Sequence, residues 1–373
     1  MSRVLRYKKQ CAALQIISLL LGIILSSCSF PGVISTSQQL PIVSEQQVVQ
    51  QLPAIRLPED EGAHNNLTEW WYYTGHFAAT AADGKQNNYG FELVVFQVSR
   101  SSFLPLYLAH FAISDITRGE FHYDQRRITA STPIAGGVRG IDVHMGDWSI
   151  QGLNGQDHLV AAMKDYAINL QLVGSKPPTL HNGNGLITYG LAGYSYYYSR
   201  TRMAVSGTIV DHGQQFSIVG QAWMDHQWGD FLTLSDSGWD WYSIQLNDNT
   251  EVMVYLIHDA AGRALSTYVG YIDADGVDHL FSGNTLHTTA LAKWTSPATG
   301  ITYPSGWRLA IDDPQLQMNL TIVPQLKNQE LVTLNSTGNI YWEGAVAVEG
   351  QSGGKSVGGL GYVELTGYVK RGG

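Results

Sequence analysis

Two cysteines in 373 residues leave this chain without disulfide scaffolding, and both lie within the first 28 positions. The folded body must therefore stand on its own core. Charged residues make up 14% of the chain, against roughly a quarter in ordinary globular domains. Bases are the scarcer sign, 22 against 31 acids, which disfavours nucleic acid or anionic lipid as partners. The apolar stretch Ile16–Leu25 is shorter than the roughly 20 residues of a membrane-spanning helix. No segment keeps apolar residues at sustained spacings of three and four, which excludes long amphipathic helices. No pair of histidines has zincin spacing, no thiol remains in the body, and no Gly-rich loop precedes a helix. No metal site and no cofactor is therefore expected, although His226 and Asp225 are adjacent potential ligands.

The N-terminus carries a processing signal. Arg3, Arg6, Lys8 and Lys9 precede Ile16–Leu25, which ends in Leu25-Ser26-Ser27-Cys28. This resembles the lipobox of bacterial lipoproteins and implies a signal peptide over 1–27, cleavage before Cys28, and acylation of Cys28 with palmitate-type chains. Ser29 in place of Asp points to a lipid anchor in the outer membrane, facing the periplasm. Loss of 1–27 removes four positive charges and no acid, moving the net charge from −9 to −13. Residues 28–57, rich in Ser, Gln, Val and Pro, read as a tether.

The body reads as all-β. Tyr89–Val98, Tyr107–Ser114, Trp239–Leu246, Val252–His258 and Tyr341–Val348 are short apolar or aromatic runs separated by turn signals such as Asp83-Gly84, Asp248-Asn249 and Asp275-Gly276. Forty glycines and twenty tyrosines suit strands and tight turns. A faint repeat aligns Trp71-Tyr72-Tyr73 with Trp241-Tyr242-Ser243, each followed by a turn and a strongly apolar strand. Two β-barrels are expected, over 58–222 and 231–370, with 223–230 as the linker.

Three aromatic clusters sit beside ionisable groups: Glu69-Trp70-Trp71-Tyr72-Tyr73, Trp223-Met224-Asp225-His226-Gln227-Trp228, and Gly238-Trp239-Asp240-Trp241-Tyr242. Buried carboxyl and imidazole groups are costly unless paired, so the clusters are expected to meet, with Tyr255, in one cavity at the barrel junction. Asp240 has the strand parity of Tyr242, Ile244 and Leu246, which places its carboxyl on an apolar face and raises its pKa. Asp225 beside His226, and Glu69 beside Trp70, are the other candidate acids. His110 lies opposite Tyr107, Phe111 and Ile113 on its strand and is a candidate lining residue.

Several of these segments, with Ala109-His110-Phe111, Tyr196-Tyr197-Tyr198-Ser199-Arg200, Tyr341-Trp342-Glu343-Gly344 and Gly361-Tyr362-Val363-Glu364-Leu365-Thr366-Gly367-Tyr368, resemble the carotenoid 1,2-hydratase/AttH-like family, often labelled "predicted secreted hydrolase". The resemblance implies two lipocalin-like antiparallel barrels and an apolar small-molecule ligand. It also implies cofactor-free hydration by a carboxylic acid in a dry pocket, with aromatic faces stabilising a carbocation. A His-x-Trp pair implied by the family is present as His226-Gln227-Trp228, and a Tyr-x-Asp pair falls on Tyr255-Leu256-Ile257, with Ile257 where the acid would stand. The catalytic candidates are thus Asp240, His226, Asp225 and Tyr255, and the ligand-binding candidates are Glu69, Trp70, Trp71, Tyr72, His110, Trp228, Trp239 and Trp241. Gly354-Lys355-Ser356-Val357-Gly358 matches G-x-S-x-G but no His follows it, so a serine hydrolase is excluded. Two readings stand. One is a hydratase- or isomerase-like enzyme acting on an isoprenoid, polyene or acyl chain; the other is a non-catalytic lipocalin-type carrier of such a molecule. A glycan-binding module with exposed Trp platforms is a third, weaker reading. Oligomeric state is left open.

Overall fold

The computed structural model describes residues 52–80, 84–100, 103–129, 139–189, 192–231, 237–259 and 261–369. The expected signal peptide and Cys28 lie outside these residues. Strands dominate, and the described residues contain no α-helix. Turn chemistry fixes the hairpins. At Asn154-Gly155, for example, both residues have positive φ (53° and 72°), the twist that a two-residue hairpin demands.

All pairings are antiparallel and fall into two sheets. In the first, β1 (Thr68–Thr80), β2 (Gln86–Arg100), β3 (Phe103–Asp115) and β4 (Glu120–Thr129) form a meander. It continues across β1 to β12 (Gln214–Phe231), β11 (Gly193–Asp211) and β8 (Tyr166–Gly174), ending at β5 (Ile141–Met145). The sheet curls until its two ends face each other: Arg126 on β4 bonds the Met145 carbonyl and lies 4.0 Å over the ring of Trp148. The second sheet repeats the plan. Its first strand, β13 (Ser237–Leu246), pairs with β14 (Glu251–Asp259) on one side and with its last strand, β22 (Lys355–Leu365), on the other, next to β21 (Asn339–Ser352).

Two boundaries and one register differ from the sequence reading. Residues 223–230 are not a linker but part of β12, paired to β1 over 223–229 and to β11 over 224–230, with both faces of the Trp-Met-Asp-His-Gln-Trp run buried. The tether ends before 57: Leu52, Ile55 and Leu57 pack on the first barrel's core, and the Tyr196 hydroxyl donates to the Pro53 carbonyl at 2.7 Å. The repeat falls on strands of equivalent topology, β1 and β13, but its register is one residue out by face. Trp71 points into its own barrel whereas Trp241 points away from its own, and a one-residue shift reverses every side chain.

Both sheets lie in one compact unit. Each barrel interior is filled by side chains, among them Trp71, Tyr107, Trp148, Tyr166 and Tyr198 in the first and Tyr242, Tyr303 and Trp307 in the second. A third apolar cluster, with Tyr72, Tyr197, Trp223, Trp241 and Tyr362, lies between the barrels. A buried ionic clasp fixes their mutual position. Glu251 of the second barrel receives Arg202 at 2.5 Å and Lys176 at 2.9 Å from the first, and all three are under 10% exposed. Removing one partner of such a set strands the others without water. Glu251→Ala should therefore cost about 3–5 kcal/mol in urea unfolding, and a loss below ~1 kcal/mol would show that the clasp is hydrated.

Candidate functional site

Residues paired directly across antiparallel strands share a face. On the second barrel this aligns Tyr268, Tyr255, Trp241, Glu364 and Glu343 in one transverse row. On the first barrel the corresponding outward row is His110, Val94, Tyr72, Asp225 and Ser199, with Glu92, Thr74 and Trp223 in the row beside it. The outer faces of the two barrels pack on each other, so these rows meet. The Tyr72 hydroxyl donates to Glu343 at 2.8 Å across the junction, and the Tyr72 and Trp241 rings meet edge to face at 5.3 Å.

Glu92 and Glu343 are thereby sealed in one aromatic layer, with the partly exposed Glu364 beside them. Burial is the main force on each, pushing Glu92 and Glu343 well above the usual carboxylate range and Glu364 up to about 7. Mutual repulsion adds to it, because Glu343 feels Glu92 and Glu364, and Glu92 feels Glu364. Only single hydrogen bonds oppose the rise, from Tyr72, Tyr341 and the Trp239 indole. Glu92 Oε2 and Glu343 Oε2 have no partner. Glu92 and Glu343 are neutral acids near pH 7, a state open to carboxyls held in an apolar setting.

From Glu92 a hydrogen-bonded chain runs outward through both barrels. Glu92 Oε1 lies 3.0 Å from the Tyr341 hydroxyl, which lies 2.7 Å from His110 Nδ1; His110 Nε2 lies 2.9 Å from Ser336 Oγ, which meets Gln125 at 2.7 Å. Burial drops the His110 pKa to about 3, so its ring is neutral, with one donor and one acceptor nitrogen. The Tyr341 hydroxyl donates to Glu92 Oε1, which leaves Tyr341 as the acceptor for a His110 Nδ1–H. Gln125 is only partly buried, so the wire ends near solvent.

Asp225 sits at the other end of the layer. It accepts from Tyr197 at 2.5 Å, the Trp223 indole at 2.6 Å and Ser199, yet burial still lifts it to about 6. His181 touches Ser199 at 2.6 Å, but the Ser199 hydroxyl donates to Asp225 rather than to the imidazole, so it is not activated as a nucleophile.

Strand parity separates residues expected together. Trp70, Tyr72, His110, Asp225, Trp239, Trp241 and Tyr255 belong to the junction, where Tyr255 stacks on Tyr268 at 5.1 Å. Glu69, Trp71, His226 and Trp228 face the interior of the first barrel. His226 and Asp225, neighbours in sequence, thus point to opposite sides of β12. Burial lowers the His226 pKa against the pull of Glu69 at 2.9 Å, and Trp71, Trp228 and Tyr198 surround its ring. His64, before β1, joins them: its Nδ1 lies 2.8 Å from the same Glu69 oxygen, and its ring stacks on Trp228 at 4.2 Å. Among the described residues, His64, Glu69 and His226 have the donor set and spacing to hold a metal ion. Asp240 belongs to neither group. It points into the second barrel, accepts from Tyr368 at 2.9 and 3.1 Å and lies 3.5 Å from His258.

Glu92, Glu343 and Glu364 were not singled out in the sequence. The available signal was an acid inside a strand apolar on both faces: Phe91-Glu92-Leu93, Trp342-Glu343-Gly344 and Val363-Glu364-Leu365. Raised carboxyl pKa values make a pH prediction. The folded chain holds the Glu364 proton more tightly than the unfolded chain does, so this stabilisation is complete below pH 4.5 and is lost as pH rises through about 7. Glu92 and Glu343 act in the same direction. Urea stability should fall across that window, and Glu364→Gln, which still accepts from Trp239, should remove roughly 2–3 kcal/mol of the fall. An unchanged slope would mean that Glu364 is ionised in the folded state.

The AttH-like family model matches residues 48–368. No curated protein matches the chain. A provisionally assigned AttH from Nitrosomonas europaea has a similar structure at 31% identity and a TM-score of 0.76, covering 85% of this chain and 98% of that one. Kievitone hydratase from Nectria haematococca shares the fold at 17% identity and a TM-score of 0.67, covering 85% and 94%. CghA, solved with Sch210972, shares it at 12% identity and a TM-score of 0.53, covering 80% and 88%. With its two lipocalin-like barrels and a match across most of its length, this chain belongs to the AttH-like family.

Proposed function

We propose that the barrel junction is the active site of a cofactor-free acid–base enzyme acting on an apolar, alkene-bearing molecule, by hydration or double-bond isomerisation. The observation that carries this reading is the pair of neutral glutamic acids in an aromatic layer, each with an unpartnered oxygen. Glu343 is the proton donor. Its proton passes to one alkene carbon, the π pair forms the new C–H bond, and the neighbouring carbon becomes a cation. Trp241 and Tyr72 face that position, where cation–π attraction reaches about 2 kcal/mol or more when desolvated. Water adds to the cation and returns its proton to the carboxylate, giving hydration; loss of a neighbouring proton instead gives isomerisation. The chain from Glu92 through Tyr341, His110 and Ser336 exchanges protons with solvent. A hydratase among the structural relatives supports the reaction class, and the fold's apolar junction supports the ligand class.

The test starts from protein isolated from its own host, with native mass spectrometry to identify co-purified terpenoid or lipid. Incubation in heavy-oxygen water should then transfer labelled oxygen to that molecule. Glu343→Gln keeps the shape and loses the proton, so it should cut turnover by roughly 10²–10⁴ with ligand binding little changed. Full ligand occupancy with no conversion by the wild type would leave a carrier role instead. Asp240→Asn, remote from the junction, should leave turnover within about twofold.

We propose in addition that the chain is anchored in the cell envelope through acylated Cys28, on the outer membrane facing the periplasm; Leu25-Ser26-Ser27-Cys28 supports this. Metabolic palmitate labelling should mark the wild type and not Cys28→Ser, which should partition as soluble protein. A labelled mutant would overturn the anchor.

A further inference from the structure

The first barrel holds a second constellation that the junction chemistry does not use. Glu69 Oε1 lies between two imidazole nitrogens, 2.8 Å from His64 Nδ1 and 2.9 Å from His226 Nε2. The three donor atoms lie within 4.8 Å of one another. Glu69 and His226 are fully buried, while His64 is 20% exposed and opens the group to solvent. We propose that His64, Glu69 and His226 form a zinc-type divalent-cation site with an open coordination position.

Two neutral imidazoles and one carboxylate are the donor set of zinc sites that keep a fourth position for water or substrate. Metal–ligand bonds of about 2.0–2.2 Å require donors roughly 3.3 Å apart in a tetrahedron, so each imidazole nitrogen needs to draw back from Glu69 Oε1 by only about half an ångström. The groups behind the ligands fit as well. Asp60 Oδ1 lies 3.8 Å from His64 Nε2, just outside hydrogen-bond reach of the nitrogen that a metal-bound histidine turns to a carboxylate. Glu69 Oε2 accepts the His64 backbone N–H at 2.8 Å, which fixes the carboxylate and leaves Oε1 for the ion. Trp71 and Trp228 wall the group and hold both rings in place. Two buried polar atoms beside it, His226 Nδ1 and the Tyr198 hydroxyl, have no partner. The Tyr198 ring stands edge-on to His226, 5.4 Å away.

The site is independent of the junction, because β1 and β12 direct Glu69 and His226 inward but Tyr72 and Asp225 outward. Its test therefore does not depend on the proposed reaction. The full-length protein, stripped with chelator and titrated with zinc ion alone, should bind one equivalent by elemental analysis. Cobalt(II) in its place should give the intense visible bands of a four-coordinate ion. Glu69→Gln and His226→Ala alter the core and are read only with near-ultraviolet circular dichroism. His64→Ala, on the partly exposed segment before β1, is the deciding variant: with native dichroism it should bind zinc at least tenfold more weakly and lose the cobalt bands. Wild-type protein that takes up no zinc, or a folded His64→Ala protein that binds it equally well, would overturn the site.

Discussion

Everything in this protein depends on the packing of one barrel wall against another. Strands β1, β2 and β12 have their inner faces in the core of the first barrel and their outer faces against the second. Water is excluded on both sides, so an ionisable group on either face loses its hydration whichever way it points. Lipocalin-like barrels standing alone would solvate their outer walls. Here the outer wall is the place where carboxyls are pushed toward neutrality and where aromatic rings meet edge to face.

The two polar constellations follow from that double burial, and they differ in how they satisfy it. In the first barrel, Glu69 is matched by two imidazoles and a backbone N–H, so its burial is compensated by donors. At the junction, Glu92, Glu343 and Glu364 face few donors and face one another, so their pKa values rise and Glu92 and Glu343 hold protons instead. Donors draw a carboxylate toward coordination or pairing; their scarcity makes a carboxylic acid. The His64–Glu69–His226 group and the junction acids thus lie on opposite sides of the wall formed by β1 and β12.

The junction is stiffened by more than apolar contact. Glu251, Arg202 and Lys176 clasp the barrels at one end, Gln245 donates to the Thr201 and Ala222 carbonyls in the middle, and the Tyr341–His110–Ser336 chain crosses at the other. Charged, amide and hydroxyl contacts are specific in direction. They hold the two rows in register, so that Tyr72 meets Glu343 and not a neighbour one step along.

The sequence by itself determined the all-β class, the family, the two-barrel plan and the aromatic segments that line both sites, because hydrophobic period, turn residues and motif identity are local properties. It also placed Tyr72, His110, Asp225, Trp239, Trp241 and Tyr255 among the candidates, and all lie at the junction. Tertiary structure alone decided which face each residue takes when both faces are buried. With no polar side to mark the outside, Trp70 and Trp71, or Asp225 and His226, look equivalent along the chain, yet they end in different sites. Asp240, chosen for its parity, went to the second barrel and to Tyr368, while Glu92, Glu343 and Glu364 passed as ordinary strand acids. Their acidity is set by neighbours about 20 to 270 residues away, and only the closing of two sheets on each other brings those neighbours within reach.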